Sequence, residues 1–182
     1  MRLILLRHED RYGDPTLLTE LTQKGKVNSK KLIDILSEYK IDSIYSSPFI
    51  RTLQTIDHVS TVIDKKIRVD NGLYEYMIEG VFKPHQYYGF TNKSYYKLIN
   101  TDFNVDPEYK SMVVEPVTKL ENDAILMKRV NGFLTKLRES NVNKTVLLVS
   151  HLSPLNAIIR TYDPSHDLDY PIPMGGLHLL TV

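Results

Sequence analysis

The chain has 182 residues, a formal charge of +1 and 25% charged residues of both signs, so its overall charge does not draw it to nucleic acid or an anionic membrane. It has no cysteine, which excludes disulfides, thiolate metal sites and cysteine nucleophiles and accords with a reducing, cytoplasmic setting. The apolar stretch after Met1 is too short for a signal core or a membrane span, and the length suits one domain, read as residues 1–182.

In chain order, residues 2–6 (Arg2-Leu3-Ile4-Leu5-Leu6) read as a buried strand. It delivers Arg7 and His8 to its carboxyl end, where open α/β sheets place their ligands. A polar loop leads to a helix from Leu21 to about Tyr39, capped by Thr22, with Leu32, Ile35, Leu36 and Tyr39 as its apolar face. Gly25 in its first turns predicts close approach to the sheet. Residues 42–46 form a second short strand, ended by Ser47-Pro48. The next helix buries Leu53, Ile56, Val59 and Ile63 and carries Arg51 in its first turn. Residues 66–69 are a third strand, followed by Glu75.

Residues 76–118 break this rhythm with many tyrosines and scattered Pro and Gly, and read as an insertion that caps the site, with one short helix over 94–100. Its Tyr76, Lys83, Tyr87, Tyr88 and Lys93 are the expected substrate contacts, although buried packing is the default for most of the tyrosines. Helical periodicity returns over 121–139 through Ile125, Val130, Phe133, Leu134 and Leu137. Residues 145–149 form a strand ending in Ser150-His151; a helix over 154–161 and a last, edge strand over 177–182 follow. Alternation of strands and helices predicts an α/β fold, a three-layer α/β/α sandwich around a mostly parallel sheet.

A lone histidine at a strand end is usually a hydrogen-bonded structural residue. Here two strands each end in one, and the first carries an arginine. Arg7, His8, Arg51, Glu75 and His151 thus form one candidate constellation from four strand ends. Two arginines and one imidazole can neutralise the oxygens of a phosphoryl group while the other imidazole attacks in line. Nearby cations lower the imidazole pKa and keep it nucleophilic. A carboxyl beside such a site can protonate a leaving alkoxide, a role for which Glu79 competes with Glu75. His58, His85 and His178 lack partners at ligand spacing, and the loop around His166 reads as solvated; no metal or cofactor is expected.

The chain resembles the histidine phosphatase superfamily, with its phosphoglycerate mutase-like fold. The resemblance runs through Arg7-His8-Glu9, Leu21-Thr22-Gln23-Lys24-Gly25, Ser47-Pro48-Phe49-Ile50-Arg51 with Thr55, and Leu73-Tyr74-Glu75. It continues through Glu121, Arg129, Val130, Phe133 and Leu134 to Val149-Ser150-His151-Leu152. It implies His8 as the phosphorylated nucleophile, Glu75 as proton donor, and Arg7, Arg51 and His151 as the phosphate pocket. Arg11 resembles a further arginine of the acid phosphatase branch and joins the substrate-binding set. The family carries glycine where this chain has Glu9 and Leu152. A carboxylate there repels phosphate unless it turns away or pairs with a cation such as Arg11 or Arg51. The loop from Asp10 to Asp14 lacks the threonine and asparagine of mutase-type members. The expected activity is therefore hydrolysis of a small phosphomonoester, with a phosphoglycerate mutase or a non-catalytic phospho-ligand-binding module as alternatives.

Overall fold

The computed structural model describes residues 1–13, 15–82, 93–114, 117–165 and 171–182. Five strands among them form one sheet: β1 (Arg2–Arg7), β2 (Ser43–Ser46), β3 (Ile67–Val69), β4 (Thr145–Ser150) and β5 (Leu177–Thr181), in the order β3-β2-β4-β1-β5. The first four are parallel, and β5 runs antiparallel to β1 at the edge. β1 and β4 are apolar on both faces because helices cover both. Leu3, Leu5, Tyr45, Val146 and Leu148 face α4 (Asp123–Ser140) and α5 (Leu152–Tyr162). Ile4, Leu6, Ile44, Leu147 and Val149 face α1 (Gln23–Leu36), α2 (Ile50–Val62) and α3 (Lys93–Asp102). The result is the expected α/β/α sandwich, in which each fully buried leucine contributes roughly 2 kcal/mol.

Two helix faces differ from their predicted stripes. α1 buries Gly25, Ser29, Leu32 and Leu36, and α4 buries Leu126, Val130, Phe133, Leu134 and Leu137. Ile35 and Ile125 each fall one residue, about 100° of rotation, ahead of a buried position, and both are exposed. Gly25 does make a close approach, but to the loop after β1 rather than to the sheet. A Cβ on it would lie 2.2 Å from the Asp10 carbonyl oxygen. Thr22 caps α1 as predicted, accepting a 3.1 Å hydrogen bond from the Gly25 N–H.

The parallel strands bring their carboxyl ends to one rim, which collects residues 7–8, 47, 70–75 and 151. The tyrosines of the 76–118 segment divide as follows. Tyr95 packs into the core with Ile99. The Tyr109 hydroxyl donates to Asp70, which caps the 3-10 turn Asn71–Leu73 through the Gly72 N–H. Tyr76 stays at the rim. Lys83, Tyr87 and Tyr88, the Lys93 side chain, and also Asp14, His85 and His166, lie outside the described residues. Among the described residues no helix is long and apolar enough to cross a membrane.

Candidate active site

His8 and His151 end neighbouring strands, and their rings meet edge to face with centroids 5.3 Å apart. The backbone forces this meeting. Arg7 pairs with Ser150 in register, and the His8 N–H donates to the Ser150 carbonyl at 3.0 Å. His8 Nδ1 lies 2.8 Å from the Glu9 carbonyl oxygen, which can only accept, so Nδ1 carries the proton and Nε2 carries the lone pair. Burial first, then the Arg51 and Arg7 cations, push the His8 pKa down to about 3. His151 is fully buried and held well below the usual histidine range, again by burial and then Arg51. Its Nε2 lies 2.9 Å from Ser47 Oγ, and its ring packs edge-on against Phe49.

Arg51 has no exposed surface. Its Nη1 donates to the Thr16 carbonyl at 2.9 Å, and its guanidinium stacks on Phe49. Arg7 Nη1 donates to the Ile172 carbonyl at 2.9 Å. Glu75 Oε2 lies 3.6 Å from Arg51 Nη2 and 3.4 Å from His151 Nδ1. Burial raises the Glu75 pKa above the ordinary carboxyl value, against the opposing pull of Arg51. Glu79, the competing carboxylate, is exposed and does not line the cleft.

Above these groups opens a cleft of about 430 Å³. Arg7, His8, Arg11 and Glu75 supply its charge, and Tyr12, Ile78, Phe82, Leu152 and Met174 are among its less polar walls. Arg51 and His151 lie beneath the wall, with Glu75 between them and the cavity. Four buried nitrogens here make no hydrogen bond of good geometry: Arg7 Nε, Arg51 Nε, and Arg51 Nη2 and His151 Nδ1, which both face the Glu75 carboxylate. Unpaired buried donors are rare because each forfeits about 1–3 kcal/mol. Spare hydrogen-bonding capacity on Arg7 and Arg51, two cations in one site, is suited to an oxyanion. His8, Glu75 and His151 also present ligand atoms within 4.8 Å of one another, a set suited to a divalent ion. The Arg51 guanidinium beside that carboxylate opposes a cation by about 4 kcal/mol per unit charge at 4 Å, so the donor set fits an anion better.

Glu9 settles where its sequence position left two choices. Its carboxylate turns out of the cleft, accepting from the Asp10 N–H at 3.3 Å and Asn28 Nδ2 at 3.4 Å, while its own N–H donates to Thr55 Oγ1. It lies under Gly175, whose N–H is shared between the Arg7 and His8 carbonyls. Gly175 has φ of +71°, and a Cβ there would lie 2.1 Å from Glu9 Oε1. Gly175→Ala is expected to destabilise the fold by about 1–2 kcal/mol, mostly from backbone strain and partly from displacing the Glu9 carboxylate. In a Glu9→Gly background only the backbone part, about 1 kcal/mol, should remain. Urea unfolding of the four proteins measures the difference.

Arg129 carries part of the family resemblance, and the sequence alone assigns it no role. It holds the Glu75 loop by donating to the Gly72, Tyr74 and Glu75 carbonyls, and is itself clamped by Glu121 at 2.8 and 2.7 Å. Ser150 Oγ also ties β4 to this loop through the Leu73 carbonyl. Arg11 lines the cleft, its Nη1 donating to the Tyr12 and Gly13 carbonyls.

The buried, neutral His8 makes stability depend on acid. The unfolded imidazole takes a proton below about pH 6.5 and the folded one does not, so stability is full above that pH and is lost as pH falls toward the folded value. His151 acts in the same direction, and Glu75, with its raised pKa, acts in the opposite one. Between pH 7.5 and 5.5, His8→Gln should lose about 1 kcal/mol less unfolding free energy than wild type, measured by urea titration.

The descriptor of the histidine phosphatase superfamily (branch 1) matches residues 6–180. Phosphoserine phosphatase 1 of Hydrogenobacter thermophilus is 30% identical over 177 residues, covering 87% of this chain and 74% of that protein. The ecdysone phosphate phosphatase of Bombyx mori, solved with tungstate, superposes with a TM-score of 0.71 at 18% identity, covering 100% of this chain and 89% of that one. A phosphoserine phosphatase of Entamoeba histolytica, solved as a mutant with phosphoserine, gives 0.66 at 20% identity, covering 98% and 89%. With its two strand-end histidines and the donors around them, the chain belongs to the histidine phosphatase superfamily.

Proposed function

We propose that the protein is a phosphatase that hydrolyses a small phosphomonoester through a phosphohistidine on His8. In the first step His8 Nε2 attacks phosphorus in line, the P–O bond to the alcohol breaks, and the Glu75 carboxyl gives its proton to the leaving oxygen. In the second, water attacks the phosphohistidine, Glu75 takes the water's proton, and the imidazole leaves as phosphate departs. Arg7, Arg51 and His151 hold the phosphoryl oxygens, and Arg11 guides the anion at the mouth. The Nδ1–H bond to the Glu9 carbonyl aims Nε2 and keeps it unprotonated.

The observation that carries this reading is the neutral imidazole of His8 set between the buried Arg51 and the tethered Arg7, whose guanidinium nitrogens keep spare hydrogen-bonding capacity. The relatives named above are phosphatases, which favours hydrolysis over return of the phosphoryl group to a substrate. No metal or cofactor is assigned to the mechanism. Residues 1–182 act as one domain, with the 76–118 segment as a partial cap. The cytoplasmic setting and the lack of nucleic-acid or membrane partners are part of the same reading, on cysteine content and charge. Rapid-quench labelling with a 32P-phosphomonoester tests it. A base-stable, acid-labile phosphoprotein mapping to His8, formed faster than steady-state release of phosphate, is the expected result. A label elsewhere, or turnover with no label, removes His8 from the chemistry.

A further inference from the structure

Among the described residues no segment pairs with the outer side of β5. The opposite edge of the sheet is covered. There Ile67 of β3 bridges to Val105, its N–H donating to the Asn104 carbonyl and its carbonyl accepting from the Asp106 N–H, each at 2.9 Å. Exposed edge strands usually carry a charge, a proline or a bulge that blocks further pairing. The segment Leu177-His178-Leu179-Leu180-Thr181-Val182 has no Asp, Glu, Lys, Arg or Pro, and its strand runs beside β1 in unbroken register. The phase of that register fixes which backbone groups point away. Met1 and Val182 exchange both N–H···O bonds, and the Arg7 N–H donates to the Gly176 carbonyl. Bonded and non-bonded pairs alternate in an antiparallel ladder, so Leu177, Leu179 and Thr181 turn their N–H and C=O groups outward.

The side chains are apolar where the backbone is open. Leu179 is 49% exposed, and Leu177 and Thr181 lie on the same face of the strand. α1 covers that face, and its Asn28 reaches toward β5 to meet Glu9 beneath Gly175. Ile35, 48% exposed, lies two turns further along the same flank, away from the side of α1 that faces α2 through Lys26 and Lys30. We propose that β5 is the contact of a two-fold homodimer, in which the strands of two copies pair antiparallel about Leu179. Leu179 then faces Leu179 of the second copy, and Leu177 faces Thr181 on either side, so each outward N–H meets a carbonyl. A two-fold axis sets like groups together, so a charged edge would repel itself, and β5 carries no charged side chain. A stable dimer buries about 800 Å² per partner, more than one short strand supplies. The Ile35 flanks of the two α1 helices adjoin the paired strands and provide the rest. The joined sheets run in opposite directions, so the two clefts open at opposite ends and both stay accessible. The assignment does not rest on the phosphatase reading.

Sedimentation equilibrium of the full chain from about 1 to about 100 μM tests it, and wild type should be dimeric over the upper part of that range. Leu179→Lys sets two ammonium groups against each other across the axis. It should raise the dimer Kd at least about tenfold while the far-UV spectrum stays unchanged. Cysteine pairing reads the register, because the chain has no cysteine of its own. A hydrogen-bonded antiparallel pair holds its Cα atoms about 5.5 Å apart, within reach of a disulfide. Under a mild oxidant Leu179→Cys should therefore cross-link to its own copy. Leu177→Cys and Thr181→Cys, each about 14 Å from its own copy, should cross-link when mixed and not alone. If Leu179→Lys fails to fold, the cysteine variants decide. A wild type that stays monomeric at about 100 μM, a dimer that Leu179→Lys leaves intact, or cross-linking no faster through residue 179 than through 177 or 181 alone overturns the β5 interface.

Discussion

His8→Ala is expected to lower kcat/KM on every phosphomonoester by at least about 10³-fold, roughly 4 kcal/mol of transition-state stabilisation. In the proposed mechanism the variant loses the group that forms the covalent intermediate, so no phosphoenzyme should accumulate. The proposed anion pocket does not depend on His8. Arg7 is tethered to the Ile172 carbonyl, Arg51 to the Thr16 carbonyl, and His151 to Ser47. The variant should therefore still bind inorganic phosphate or vanadate, with affinity changed far less than kcat/KM. Calorimetry with phosphate alongside steady-state assays separates the two effects. Wild-type turnover in His8→Ala would mean that another group attacks phosphorus. Joint loss of turnover and phosphate binding would point to a collapsed pocket, and the melting temperature identifies that case.

That prediction came within reach of the sequence because its evidence is local. An apolar run ending in Arg7-His8 and another ending in Ser150-His151 are visible one at a time, and parallel pairing then sets the two ends side by side. The helix start at Thr22 is also local, since a cap leaves its mark within a few residues, whereas the loop that Gly25 meets, at Asp10, lies outside that reach. What the sequence left open involves partners far apart along the chain. The direction of the Glu9 carboxylate is decided by Asn28 and by Gly175, neither of which can be paired with it by periodicity. Ser47 opens the segment Ser47-Pro48-Phe49-Ile50-Arg51, yet its hydrogen bond to His151 follows only from the alignment of β2 beside β4. Arg129 sits within a helical stripe, and its grip on the Glu75 loop depends on where α4 crosses the 3-10 turn. Phe133 makes the same crossing, and it presses on Gly72 so closely that a Cβ there would lie 2.5 Å from the Phe133 Cβ. Ile35 and Ile125 show the limit from the other side: hydrophobic character alone put them on faces that the helix phase turns to solvent.

Glu75→Gln should separate substrates by leaving group. An amide has the size of the carboxyl and can still face Arg51 and His151, but it has no proton to deliver. For an alkyl phosphate, whose alkoxide is a poor leaving group, kcat/KM should fall by about 10²–10⁴. For p-nitrophenyl phosphate, whose phenolate departs without help, the first step should change little, and any remaining loss reports the activation of water in the second. The pH profile supplies an independent readout. Glu75 must be protonated to act as the acid, and burial holds its pKa above the ordinary carboxyl value. Wild-type kcat/KM on an alkyl phosphate should therefore decline as pH rises through that raised pKa, and the limb should vanish in Glu75→Gln. His8, the proposed nucleophile, does not blur this limb, because an imidazole with a pKa of about 3 is already unprotonated across the whole range. Titration of the substrate phosphate is common to both proteins and cancels in their ratio. A variant that loses aryl and alkyl substrates equally, with the alkaline limb unchanged, would place Glu75 among the groups that merely shape the pocket and leave the proton to come from another donor or from water.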